Sequence, residues 1–333
     1  HHMANHLPSK PSQDLSAPDS NARQGTRVLQ SDALMYFMKV AYAGSISEAA
    51  DRLGVAPSAV SRQIARLEKE LDTLLFERQS RGMRLNAAGE LLVAHARRAW
   101  QDIEHLNSDL LALRGLRTGQ VRLAATEGFS FELLPSLMAK FQASRPGVTF
   151  SLETCAQAEV LRRVREGEAD LGITVGTAVA QGVEVELRQL SPVLAVMSKL
   201  HPLAEKRQIS LAQAIAYPLA LPAHGSTLRQ LLDLSCARQN LRVSVALTSS
   251  HLYPLINFVA ASEAITFCGG RSLTQHFRLG QIAAVPLKDR EMNERHFMVV
   301  KAAGRHLSVA VTAFLGEIKQ ELDAGEMLAN VTG

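Results

Sequence analysis

Arg62 and Arg66 stand one helical turn apart in P-S-A-V-S-R-Q-I-A-R, which begins at Pro57 and carries the small residues Ser58, Ala59 and Ser61. A guanidinium is a planar fork of donors that can engage two acceptors at once, on a guanine edge or a phosphate. Small neighbours let such a helix sink into a major groove. Farther on, R-Q-S-R-G-M-R sets Arg78, Arg81 and Arg84 around a glycine, an arrangement suited to phosphates or to a minor groove. The competing reading is an amphipathic helix pair with solvated arginines, and a motif alone does not separate the two.

A second set of polar residues follows the apolar runs of the later chain. Thr126, Gly128 and Ser130 come after one run and Thr154 after another. His224, Gly225, Ser226 and Thr227 form a loop, and Thr248, Ser249, Ser250 and His251 another. Ligands of open parallel α/β sheets sit beyond the carboxyl ends of the strands, where helix N-termini aim N–H groups. Hydroxyls converging there suit a small polar or carboxylate-bearing ligand, although each one taken singly also reads as a helix cap. Glu127 and Glu153 argue against a highly charged anion. His251 has no carboxylate at a spacing that would orient it. Cys155, beside Thr154, would need an electropositive setting and a resolving partner to sense redox state, and the sequence offers neither. Cys236 and Cys268 read as core residues.

These groups need elements to hold them. Ser45 with Glu48 reads as a capping box opening a helix over Ile46 to Leu53, and Gly54 ends it. Pro57 suits the first turn of the next helix, whose apolar stripe is Val60, Ile64, Leu67 and Leu71. Two helices around a glycine turn make a helix-turn-helix. An earlier helix, capped by Ser31 or Asp32, braces it with Leu34, Phe37, Met38 and Ala41. The run L-L-F-E-R-Q-S-R-G-M-R-L reads as a β-hairpin wing. After Asn86, Leu92, Ala96, Ala99, Ile103, Leu106, Leu110 and Leu113 alternate spacings of four and three. That heptad seam must be buried against a second copy or against its own chain. From Val121 strand and helix patterns alternate, which predicts a parallel α/β sheet, and a second round follows Pro192.

From Ala41 to Arg78 the pattern A-x-x-G-S-I-S-E-A-A-x-x-L-x-V-x-x-S-A-V-S-R-Q-I-x-x-L-E-x-x-L-x-x-x-L-F-x-R, followed by R-L-N-A-A-G-E, resembles the winged helix of LysR-type transcriptional regulators. Pro57 stands where many members have glutamine, removing one contact. Asn86 stands where threonine is usual and can still cap the next helix. G-E-A-D-L-G-I and K-L-H-P-L-A resemble the same family's effector domain more loosely, and V-A-A-S-E-A-I-T-F departs from its glycine-rich turn. The resemblance implies an all-α N-terminal winged helix-turn-helix with a long linker helix. It also implies a two-lobed α/β effector domain with Rossmann-like lobes, similar to type 2 periplasmic-binding proteins. The corresponding divisions are a tag remnant and disordered tail over 1–30, a DNA-binding domain over 31–89, a linker helix over 90–117 and an effector domain over 118–333. Lobe I would take about 121–191 and 296–333, and lobe II about 192–295.

The resemblance further implies double-stranded promoter DNA as partner, a dimer assembling into a tetramer that bends DNA, and RNA polymerase as a further contact. It implies a small-molecule co-inducer in place of a cofactor. Leu92, Ala99, Ile103, Leu106, Leu110 and Leu113 would form the dimer seam. A net charge of +4 over 333 residues is compatible with nucleic acid without requiring it. No apolar run approaches the roughly 18 residues a membrane span needs and no signal core follows the start, so a cytoplasmic location is expected. Three separated cysteines make neither a disulfide framework nor a zinc site. The motifs G-x-S-x-G, H-E-x-x-H, G-x-G-x-x-G and the G-K-[ST] phosphate loop are missing, which argues against an enzyme. The alternatives are a solute-receptor-like binding protein and a thiol-based redox regulator.

Overall fold

The first N–H groups of a helix lack acceptors inside it, and Ser45 supplies one: its Oγ accepts from Glu48 N at 3.0 Å. The return half of the expected capping box is not made, because the Glu48 carboxylate pairs with Arg52 one turn on. The computed structural model describes residues 32–80, 82–115, 117–176 and 178–331. The expected disordered tail, the Ser31 cap and Arg81 lie outside the described residues. The chain divides into two units, residues 1–96 and 97–333.

In the first unit α1 (Asp32–Ala43), α2 (Ile46–Leu53) and α3 (Pro57–Glu70) precede a hairpin of β1 (Phe76–Gln79) and β2 (Gly82–Leu85). Gly54 ends α2 at φ 66°, the left-handed conformation that glycine adopts without strain. Phe37, Met38, Val60, Ile64 and Leu67 share one buried core. The wing is held at both ends. Glu68 Oε1 accepts from Leu75 N at 2.8 Å, and Gly44 O accepts from Met83 N at 2.9 Å. Asn86 Oδ1 accepts from Gly89 N at 2.9 Å and so caps α4 (Ala87–Leu113). Gly89 is required by contact: a Cβ there would stand 2.2 Å from Leu75 O.

The second unit has two lobes. Lobe I is a five-stranded sheet ordered β4-β3-β5-β12-β6, from β3 (Thr118–Ala125), β4 (Gly147–Thr154), β5 (Leu171–Gly176), β6 (Val183–Leu190) and β12 (His296–Ala302). β3 pairs in parallel with β4 and β5, as the alternating pattern predicts. β12 is antiparallel to β5 and β6, so the whole sheet is mixed. Lobe II departs further from the expected parallel sheet. β7 (Val193–Ser198) runs antiparallel to both β10 (Thr266–Gly269) and β11 (Ile282–Pro286), while β8 (Leu219–Pro222) and β9 (Val245–Ser249) pair in parallel.

Helices α5 (Glu127–Ser130), α6 (Leu133–Ser144) and α7 (Gln157–Arg165) follow strands of lobe I, and α12 (Val309–Val331) ends the chain. In lobe II they are α8 (Leu211–Ala214), α9 (Thr227–Arg238), α10 (Leu252–Ala260) and α11 (Thr274–Arg278). Ser191 and Arg295 stand at the two crossings between lobes. They are bound to each other, Ser191 N donating to Arg295 O at 2.8 Å.

Candidate functional site

α3 presents Pro57, Ser58, Arg62, Ala65 and Arg66 to solvent, with Ala59 and Ser61 half-buried between them. Arg62 has no partner among the described residues, whereas Arg66 Nε donates to Glu70 Oε1 at 2.8 Å. On the wing Glu77 lies opposite Arg84, and Arg78 lies opposite Met83. Opposed residues share a face and neighbours alternate, so the exposed Arg78 and Arg84 leave opposite faces of the hairpin.

The expected oligomer seam on α4 divides in two. Leu92 is buried with Val93 and Ala96 in the core of the first unit. It is therefore withdrawn from the seam, because the opening turns of α4 also serve as a core helix of the winged helix. Ala99 is half-buried, while Ile103, Leu106, Leu110 and Leu113 are 56%, 57%, 47% and 85% exposed. A different flank of α4 is tied to lobe I. The Asp170 side chain, 1% exposed, accepts from Gln101 and from Arg122 N at 2.8 Å, and lies 2.9 Å from His105 Nε2. A buried carboxylate needs this many partners. With that flank held, the leucine stripe of α4 faces outward.

Between the lobes lies a cavity of about 610 Å³. Lobe I lines it with Thr126, Glu127, Gly128, Thr154, Cys155 and Gln157. Lobe II lines it with Gly225, Ser226, Thr227, Ser249, Ser250 and His251. Two of these hydroxyls are already engaged: Ser226 Oγ accepts from Arg229 N at 3.0 Å at the start of α9, and Ser249 Oγ accepts from His251 N at 3.1 Å. Three expected residues, Ser130, His224 and the exposed Thr248, are absent from the lining. Ser130 is turned inward and donates to Thr126 O at 3.2 Å, one turn back along α5. His224 leans toward Arg229 and Asp233, its Nδ1 3.8 Å from the Asp233 carboxylate. Its loop turns at Gly225, at φ 96°, and the side chain faces away from the cleft.

His251 does have an orienting carboxylate, supplied by the other lobe. Glu127 Oε1 lies 3.4 Å from His251 Nδ1 and accepts from Leu252 N at 3.0 Å. Glu127 thus caps α10 across the cleft, a contact that spacing along the chain could not reveal. Burial pushes the Cys155 thiol up, with the nearby Arg163 only partly offsetting it, which leaves a thiol in place of a reactive thiolate.

The floor of the cavity holds residues the sequence reading missed, notably Cys268, Gly269, Ser272 and Arg295. Arg295 is 7% exposed. Its Nε donates to Ser191 O at 3.2 Å, and no carboxylate lies within ion-pairing distance among the described residues. Burial pulls its guanidinium down to about 10. Cys268, 3% exposed beside it, is pushed up to about 12 by burial and stays neutral.

Among the described residues, no group of histidines, cysteines and carboxylates could hold a metal ion, and no helix is long and apolar enough to cross a membrane.

Comparisons with known proteins agree with both units. Residues 31–90 match the bacterial regulatory helix-turn-helix protein family of lysR type, and residues 114–323 match the LysR substrate binding domain. The HTH-type transcriptional activator CmpR of Synechocystis sp. is 24% identical over 84% of this chain and 91% of its own length. A probable nitrogen assimilation transcriptional activator of Synechococcus elongatus is 30% identical over 61% of this chain and 66% of its own. Among solved structures, a full-length OxyR variant from Pseudomonas aeruginosa superposes with a TM-score of 0.65 at 21% identity, covering 86% of this chain and 91% of that one. Full-length CbnR complexed with its target DNA gives 0.59 at 21%, covering 86% and 98%. These relatives are regulators, not enzymes, and this chain belongs to the LysR family of DNA-binding transcriptional regulators, with a helix-turn-helix and a substrate-binding effector domain.

Proposed function

We propose that paired copies of this chain read two half-sites of a promoter through α3, and that a small organic effector in the interlobe cavity sets the outcome. The observation that carries this reading is the outer face of α3, where Arg62 stands exposed beside Ser58 and Ser61 and without a partner among the described residues. Arg62 reads a base edge, Arg66 and the wing arginines hold phosphates, and the exposed stripe from Ile103 to Leu113 joins two copies. The partner in solution is the promoter, with RNA polymerase recruited beside it in the cytoplasm. No tightly held cofactor is required. The effector changes the population of two arrangements only by its differential affinity for them, and a cleft lined from both lobes supplies such a difference.

The test is selection of DNA from a random pool by the full-length protein, followed by gel-shift titration at two salt concentrations. Arg62→Ala is expected to cost about 1–3 kcal/mol on the selected sequence and to relax preference at one position. A uniform weakening on all sequences with a shallower salt dependence would place Arg62 on phosphate instead. If no sequence is enriched, the reading fails.

A further inference from the structure

Two arginines are buried among the described residues, and they are treated differently by the fold. Arg229 is 6% exposed and paired, its Nε donating to Asp233 at 2.9 Å. Arg295 is as deeply buried but bonds one backbone carbonyl, through Nε, and meets no acid. Its terminal nitrogens are left toward the cavity it lines. Gly269 makes room for them, since a Cβ at that position would stand 2.8 Å from Nη2. A desolvated charge without a counter-charge is strongly unfavourable, and proteins retain one where a ligand completes the pair.

We propose that Arg295 is the anchor for a single carboxylate of the effector, held by the two terminal guanidinium nitrogens. This rests on the interlobe cavity being the effector site. The choice of carboxylate over phosphate follows from the rest of the lining. Arg295 is the one arginine or lysine in it, and Glu127 contributes a negative charge. Glu127 is engaged by His251 at 3.4 Å and by Leu252 N, so the charge left to match is the single one of the guanidinium, which a singly charged acid meets and a dianion exceeds. The planar fork matches the two carboxylate oxygens. Phe129, Val175, Leu228, Leu252 and Leu255 offer apolar surface for an uncharged body. The effector class is therefore a monocarboxylic acid with an apolar or neutral polar remainder.

The experiment follows thermal unfolding of the full-length protein against sodium acetate and sodium benzoate, with acetamide and benzamide as neutral matches, at fixed ionic strength. Acetate fits any seat a larger acid can use. The expected result is a saturable rise in melting temperature with the acids and none with the amides. Arg295→Gln is expected to weaken the acid response at least about tenfold, with Arg295→Lys intermediate. Arg295→Met removes the charge at similar length and keeps the comparison readable if the Gln variant does not fold. If neither variant folds, the guanidinium belongs to the framework and the assignment is overturned. It is equally overturned if acids produce no saturable shift up to about 50 mM, or shift wild type and variant alike. Amides and acids acting alike would remove Arg295 while leaving the cleft as the effector site. Failure of the DNA selection would strike the regulator reading and leave this comparison standing.

Discussion

Arg62 and Arg295 both lack a carboxylate partner among the described residues, yet their surroundings are opposite. Arg62 rides on the outside of a regular helix, exposed to solvent. Arg295 sits at the junction of the lobes, 7% exposed at the edge of the cavity and bonded to Ser191. The first unit therefore keeps recognition and folding on separate faces of its helices. The second builds recognition out of the frame itself, and its site groups are also caps and crossovers. Because the charged form of Arg295 is disfavoured in the fold, the unfolded chain holds that proton more tightly, and this contribution to stability rises only as pH climbs through about 10. At neutral pH the unfavourable charge is fully present.

The largest expected effect breaks the seam. Ile103→Glu combined with Leu110→Glu should convert the assembly to monomers by light scattering. It should weaken binding to paired half-sites by about a hundredfold, since the second contact loses its effective concentration. Melting of either unit should hardly change, and a large drop would show that the stripe serves the fold after all. Next, Gly89→Ala drives a methyl into the Leu75 carbonyl and should destabilise the first unit by about 1–3 kcal/mol. Calorimetry that finds the loss confined to one transition, with the acid response intact, would sharpen the division.

Ser226→Ala should remove about 1 kcal/mol from the second unit, because Oγ holds the first turn of α9. If recognition and frame are the same there, effector response falls with it; if stability falls alone, the hydroxyl is only a cap. The smallest effect is an acid one. Hydrogen bonds from Arg162 hold the Glu159 carboxyl down to about 2. The stability this adds is whole above the ordinary value near 4.5 and is lost as pH falls through about 2. Glu159→Gln should flatten that part of the acid unfolding curve.

The first unit was readable because its information is local. Caps, the glycine stop and the apolar stripe all lie within a few residues of the helix they define, and α2, α3 and the wing stand where the spacing puts them. Leu92 was misassigned because one stripe serves two burials, the winged-helix core in its opening turns and an open face beyond. In the second unit the loops after strands were legible as cavity lining, since Thr126, Thr154, Ser226, Ser249 and His251 follow apolar runs. Ser130 and His224 failed because loop position does not fix side-chain direction. Arg295 had no local signal: it gains its meaning from Ser191 and Gly269, which are distant in sequence. The β6 segment, by contrast, does alternate with period two from Val183 to Arg188, a local signal of that edge strand.

The paired crossings at Ser191 and Arg295 carry a mechanical consequence. Two straps riveted to one another at a single place let a door swing about one line and deny it most others. A closing of one half upon the other about that line would turn the peptide on which Arg295 is mounted. Cargo gripped by that side chain therefore pulls on the pivot itself, not at the far end of a lever.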